Sequence, residues 1–366
     1  MRVIGIDPGT ISIDICGLED AHVFFEKSLP TADALADPLA FVRLLQGQSP
    51  VDLIVGPSGY GLPLTPARDL SDTDLKLAFL APPGESGGIG GLRSLVRALA
   101  ASALPVVLTP GVIHLPSVPV HRKVNRVDMG TADKVCAAAL GIQEHSARRR
   151  CEPRGATFVL LELGGAFTAV IAVRNGQIVD GIAGSAGPLG ARAAGALDAE
   201  VAFLAGSVPK RMVFEGGAAT IAGEPDGDLV RLFESSASSA SIAFEAFIES
   251  AVKAVVAAAV SLSEPDAGNS PFDVLLSGRL AALPVIREQL TRRLTPFTRG
   301  AVHALEGFAS TAKHAAQGAA VLADGLAGGT SAPIVEALGI REARGTLLDY
   351  LHVMSADAAR TRLGIE

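Results

Sequence analysis

The chain opens on an apolar run at residues 3–6 that ends in Asp7, turns at Pro8-Gly9-Thr10, and then alternates. Ile11, Ile13 and Ile15 take every second place against Ser12, Asp14 and Cys16, the period of a half-buried strand. A turn at Glu19-Asp20-Ala21 leads into a third strand at residues 22–25. Further along, spacing predicts a helix over residues 33–45, a buried strand at 51–55, a helix over 93–101 and a strand at 106–108. Residues 131–150 set Val135, Ala138, Ala139 and Ile142 on one helical face. The break at Pro153-Arg154-Gly155 then reads as the main domain boundary.

After that break the opening plan recurs. An apolar run at residues 158–161 ends in Glu162, Gly164-Gly165 turn the chain, residues 166–173 form a strand, and Asn175-Gly176 signals a hairpin into residues 177–179. Asp7 and Glu162 lie 155 positions apart, as do Gly9 and Gly164. A duplicated unit of strand, acid, glycine turn, strand, turn and strand carries more weight than either copy alone. The second half continues with a helix over 191–204, a glycine-rich passage at Phe214-Glu215-Gly216-Gly217, and an alanine-rich helix over 241–262. A strand at 272–276 enters Ser277-Gly278-Arg279, a helix starts near 283, and a last helix covers 309–326. Alternating strands and helices make this an α/β protein. The expected units are residues 1–153, residues 154–328, and an appendage at 329–366.

Composition narrows the function. Of 366 residues, 49% are hydrophobic and 19% charged, which excludes intrinsic disorder. A net charge of −7, with 4% aromatics and no Trp, argues against a nucleic-acid partner. The longest stretch without an acidic or basic residue, 98–121, contains Pro105, Pro110, Pro116 and Pro119, so no clean spanning helix forms there. No signal segment opens the chain, and a cytoplasmic protein without a membrane partner is expected, with homodimerisation left open. Cys16, Cys136 and Cys151 lie far apart without metal-ligand spacing, as free or buried thiols do in a reducing compartment.

The chemistry concentrates at the two turns. Asp7 can hold Mg²⁺ directly or through water, because magnesium takes oxygen ligands and retains its hydration. Gly9 lets the backbone approach an anion, and Thr10 and Ser12 add hydroxyl donors. The second copy offers Glu162 as another metal-positioning acid, with Gly164, Gly165 and Thr168. Gly216, Gly217, Ser277, Gly278 and Arg279 complete the candidate nucleotide-binding set. Between the halves, Arg122, Lys123 and Arg126 form a basic run that either faces an anion or is solvated. Asp128 and Asp133 either act as carboxylate bases or open the helix that follows. His114, His121, His303 and His314 show no metal spacing and are assigned no role.

The order of acid turn, connecting helix, acid turn, strand with Ser277-Gly278 and final helix resembles the actin-like ATPase superfamily, over roughly residues 1–328. That family includes actin, sugar kinases and acetate kinase. The resemblance implies two ribonuclease-H-like domains facing each other across a nucleotide cleft that binds ATP and Mg²⁺. The stretch from Arg122 to Val135, with the opening Gly-Ile-Asp-Pro-Gly-Thr and the Glu162 segment, is similar to the butyrate-kinase-like family. Asp128-Met129 and Asp133 stand where acetate kinases have histidines, and Gly184-Ser185-Ala186-Gly187-Pro188-Leu189-Gly190 is similar to an acetate-kinase signature. The resemblance implies phosphoryl transfer from ATP to a small carboxylate, giving an acyl phosphate. The alternatives are a small hydroxyl acceptor, a conformational ATPase or sensor, and a non-catalytic scaffold.

Overall fold

The computed structural model describes residues 1–80, 88–235, 238–263 and 271–365. The repeated pattern becomes two sheets of matching topology. In the first, β1 (Arg2–Pro8), β2 (Ser12–Glu19) and β3 (His22–Pro30) form an antiparallel meander. β4 (Leu53–Val55), β5 (Thr65–Pro66) and β6 (Val106–Leu108) complete it, β4 pairing parallel with β1 and β6 parallel with β4, for an order of β3-β2-β1-β4-β6-β5. In the second, β7 (Phe158–Leu163), β8 (Thr168–Arg174) and β9 (Gln177–Ile182) repeat the meander. β10 (Phe272–Ser277) and β11 (Arg299–Ala304) extend it in parallel, for an order of β11-β10-β7-β8-β9.

Strand residues divide by parity between inner and outer cores. Ile4, Ile6, Ile13 and Ile15 face outward under the helices of the first half, and Val3, Cys16 and Leu18 face inward. Val159, Leu161 and Leu163 pack outward beneath the Ser238–Ala259 and Pro284–Thr298 helices, and Phe158 and Leu160 point inward. Sheets covered on both faces need apolar residues at successive positions, which is why β1 and β7 read as continuous apolar runs.

Between the sheets lie two long helices, Ala132–Arg149 and His314–Leu326. They cross at backbone contact. A methyl group at Gly318 would lie 1.8 Å from the Cys136 carbonyl oxygen, and one at Gly5 would lie 2.1 Å from the Ala320 nitrogen. Small residues in both helices are the condition for this inner core. Cys16 and Cys136 are buried free thiols, and burial pushes Cys16 up to about 12, so it packs rather than reacts.

Several expected elements shift. The helix expected over 191–204 forms only at Ala199–Ala205. Residues before it instead close on the second turn: Arg192 and Ala193 donate backbone hydrogen bonds to the Ala166 carbonyl, and Ala193 bridges Gly216. The last helix starts at His314 rather than 309, because Glu26 and Gln317 side chains take up the backbone amides of Phe308, Ala309, Thr311 and Ala312. β11 carried no alternating signal. The tail is integrated: Ile334, Val335, Leu338, Ile340 and Leu347 join the inner core, and Leu348, Ala359 and Ile365 join the outer core of the first sheet. Among the described residues, no helix is long and apolar enough to cross a membrane.

Candidate functional site

The β1–β2 and β7–β8 turns meet tip to tip at the mouth of the space between the sheets. A methyl group at Gly165 would lie 3.2 Å from Ile11 Cδ1. Below them opens a cavity of about 350 Å³. Its lining includes Asp7, Gly9 and Thr10 from the first turn, and Glu162, Gly164 and Gly165 from the second. Asp128 and Asp133 line it as well, and so do Ser277, Gly278 and Arg279.

Both long inner helices begin at this cavity. Thr131, Ala132, Asp133 and Lys134 line it from one, and Lys313, His314 and Ala315 from the other. Helix N-termini carry unpaired N–H groups and the positive end of the macrodipole, so two of them make the cavity receptive to anions.

The charges form linked pairs. Lys134 bridges Asp133, at 2.6 Å, and Glu162. Burial opposes its charge, but those two acids outweigh burial and hold its ammonium above the usual lysine range. Burial alone would raise Asp133, yet Lys134 and the Thr131 hydroxyl hold it below the ordinary carboxylate value. Lys313 reaches Asp14 at 2.7 Å, Asp7 at 3.9 Å and the Ser12 carbonyl at 3.1 Å. Asp7 is buried at 6% exposure. Burial and the neighbouring Asp133 charge raise its carboxyl to about 7, against Lys313 and Lys134.

Asp128 accepts from the Gly130 amide at 2.9 Å, and burial raises it to about 6. It lies against Gly184, where a methyl group would come within 2.2 Å of its Oδ2. Lys210, which also lines the cavity, donates to the Tyr60 hydroxyl at 3.1 Å and lies 5.0 Å over that ring. At the β10 exit, Gly278 takes a φ of 89°, and its bare Cα packs on the Leu163 carbonyl. Ser277 Oγ pairs with His314 Nδ1 at 3.0 Å.

Other candidate residues lie outside this lining. Ser12 donates to Asp14 beneath the first turn, and Thr168 is buried at the start of β8. Gly216 and Gly217 pack against the Arg192–Ala194 backbone. The basic run is engaged elsewhere. Arg122 donates to the Val179 carbonyl at 2.7 Å, and the buried Lys123 donates to the Leu115 carbonyl at 2.9 Å. Burial, with Arg344 nearby, lowers the Lys123 amine to about 8. Asn125 fastens this loop to the tail through Tyr350, His352 and Val353, and the Arg126 side chain is exposed.

The cleft cations are therefore Lys134, Lys210, Lys313 and Arg279. Lys134, Lys210 and Lys313 are not among the candidates the sequence offers, and His314, assigned no role there, lines the cavity. Lys134 and Lys313 carried a usable signal: each is a cation at the positive end of a helix, where local electrostatics disfavours it.

Among the described residues, no three His, Cys, Asp or Glu side chains gather as a ready-made metal cage. A magnesium ion held by one or two carboxylates, water and phosphate oxygens needs no such cage. Asp7, buried with too little positive charge around it, fits that kind of site. Glu162 already has the Lys134 ammonium as its counter-charge.

No curated protein matches the chain. Among solved structures it is similar to acetate kinase from Entamoeba histolytica, at 10% identity and a TM-score of 0.56, covering 81% of this chain and 86% of that one. It is also similar to ROK hexokinase from Thermus thermophilus, at 18% identity and a TM-score of 0.42, covering 88% and 98%. At such identities the likeness to acetate kinase shows the fold alone, and that fold is the two-domain actin-like ATPase fold. A family model matches residues 5–353, and the chain belongs to that family, described as Protein of unknown function (DUF1464).

Proposed function

We propose that the protein is an ATP-dependent phosphotransferase that moves the γ-phosphoryl group to a small acceptor. One observation carries this reading: two acid-ended strands and two helix N-termini, each pair one per half, converge on a single cavity with Lys134 and Lys313. Phosphoryl transfer asks the protein for positioning and charge neutralisation rather than covalent chemistry. In this reading Gly9, Gly164 and Gly165 let the two turns approach the phosphate chain from opposite sides. Lys134, Lys313 and the helix N-termini offset its charge. Ser277, Gly278 and Arg279 border the nucleoside. Asp7 holds magnesium or its water ligands, and the ion, when bound, supplies charge neutralisation at the phosphate oxygens.

The butyrate-kinase-like resemblance suggests a carboxylate acceptor, which would need cations and no base. Arg122 and Lys123 are tied to backbone carbonyls, so they do not supply those cations in this arrangement. Asp128, by contrast, lines the cavity with a carboxyl near 6, ionised at neutral pH but still able to take a proton. That favours a hydroxyl acceptor.

Saturating MgATP should stabilise the protein, because a ligand that binds only the folded state adds about 2.7 kcal/mol at a hundredfold excess over its Kd. The thermal shift should shrink in Asp7→Asn. An unchanged melting temperature would remove the nucleotide from the reading. ATP hydrolysis that no acceptor accelerates would favour the conformational ATPase.

A further inference from the structure

The two acid turns repeat one pattern, and that pattern breaks at one position. Asp7 faces Asp14 across the β1–β2 pair, and Glu162 faces Ala169 across the β7–β8 pair. Asp14 and Ala169 lie 155 positions apart, the offset that also relates Asp7 to Glu162. Directly opposed residues of an antiparallel pair share a face, so Asp14 and Ala169 are equivalent neighbours of the two acids. Both are buried. One is a carboxylate and the other a methyl group.

Each acid also meets a lysine from the start of an inner helix, and the two lysines settle differently. Lys313 lies 2.7 Å from Asp14, donates to the Ser12 carbonyl at 3.1 Å, and stays 3.9 Å from Asp7. A methyl group at Gly9 would lie 2.7 Å from its Nζ, so the ammonium sits against the first turn. Ser12 Oγ donates to Asp14 at 2.8 Å and fixes the carboxylate that draws Lys313 beyond hydrogen-bond reach of Asp7. Ala169 exerts no such pull. There Lys134 pairs directly with Glu162 and, at 2.6 Å, with Asp133. An ammonium and a divalent cation compete for the same carboxylate oxygens and repel each other at contact distance.

Resting on the phosphotransferase reading above, we propose that Asp14 is the positioning residue that assigns the divalent cation to the first turn. By holding Lys313 away, it leaves the Asp7 carboxylate to the ion. With alanine at the matching place in the second half, the Lys134 ammonium takes the position at Glu162 that a second ion would need. The cleft is then a centre of one divalent cation and one fixed ammonium rather than of two ions. Asp14 lies beneath the turn, outside the cavity lining, and acts on the ion only through Lys313.

The test titrates Mn²⁺, read by the electron paramagnetic resonance of the free ion, into the full chain held in excess over ADP, with ADP alone as the blank. Binding of MgADP is measured separately by calorimetry. The parent should take up one Mn²⁺ per bound ADP, more tightly than ADP alone does. Asp14→Asn keeps an acceptor for Ser12 but loses the charge that holds Lys313, and should weaken that affinity about tenfold or more, toward the blank. Adding Lys313→Met should recover most of the loss, which a merely structural role for Asp14 does not predict. Lys134→Ala should take up a second Mn²⁺, and Glu162→Gln in the same chain should abolish it. The two arms are independent, so either decides if the other variant fails to fold.

Two Mn²⁺ ions on the parent would overturn the proposal. So would an unchanged affinity in Asp14→Asn, a loss that Lys313→Met fails to recover, or a folded Lys134→Ala that still takes one ion. Any of these with MgADP bound would leave the nucleotide site standing. Absent MgADP binding would overturn both.

Discussion

His114 shows how a single buried side chain couples this fold to pH. It is 2% exposed, its Nδ1 accepts from the Gly111 amide at 3.2 Å, and burial lowers its ring to about 4. The folded protein then keeps it neutral where the unfolded chain, near 6.5, binds a proton. Its contribution is full above about 6.5 and is lost as pH falls toward 4, amounting to about 3 kcal/mol across that window. Asp7 and Asp128 act in the opposite sense. Their raised values favour the folded state at low pH and lose that advantage as pH rises through about 7 and about 6. The net curve mixes both signs, so a difference measurement is needed. His114→Gln keeps an acceptor for Gly111, and its stability relative to the parent should improve as pH drops from 6.5 to 4. Urea titrations that run parallel for the two proteins across that range would refute the assignment.

The residues of the cleft differ in how openly the sequence displays them. Asp7 and Glu162 are visible because the same local pattern occurs twice, at one offset, and two coincident copies outweigh a common turn. Lys134 and Lys313 are visible only as violations, cations where a helix prefers an anion. Tyr60 and Lys210 give no local sign at all. They meet across 150 positions of chain, through packing that no periodicity encodes. Arg122 and Lys123 mislead for the same reason: a basic cluster looks like an anion site until the backbone carbonyls of Leu115 and Val179 take its donors.

Elements follow the same logic. β1, β2, β7, β8 and β10 are legible because each is buried on both faces or alternates strictly, whereas β11 is a half-exposed edge strand with little pattern to read. The two inner helices are legible from their alanines, and the reason for those alanines is the crossing at Gly318. A side chain there meets main chain rather than a movable neighbour, so the helices must separate to admit it. Gly318→Ala should cost about 1–3 kcal/mol, the usual range for overpacking, read as a lowered urea midpoint at unchanged m. Because each helix also carries its N-terminus to the cleft, MgATP affinity should weaken in the same variant. Unaltered stability would mean that the crossing is looser than its backbone contacts indicate.

At the scale of the molecule, the tail decides whether two halves and an appendage is the right division. Residues 329–365 supply apolar side chains to the inner core between the sheets and to the outer core of the first sheet. The Lys123 ammonium lies 5.0 Å from the centre of the Tyr350 ring, and the Asn125 side chain accepts from the His352 and Val353 amides. A chain ending at Ala327 would uncover Ile334, Val335 and Leu338 contacts on the Ala132–Arg149 helix and strip Leu348 and Ala359 from the first half. Each large buried aliphatic side chain is worth roughly 1.5–3 kcal/mol, so the loss is comparable with the 5–15 kcal/mol that a typical protein has in total. The truncated chain should therefore lose near-ultraviolet circular dichroism, bind an apolar dye, and fail to bind MgATP while keeping much of its helical signal. Should it instead unfold cooperatively and bind nucleotide like the full chain, the tail would be an appendage after all, and its core contacts would be incidental to the two halves.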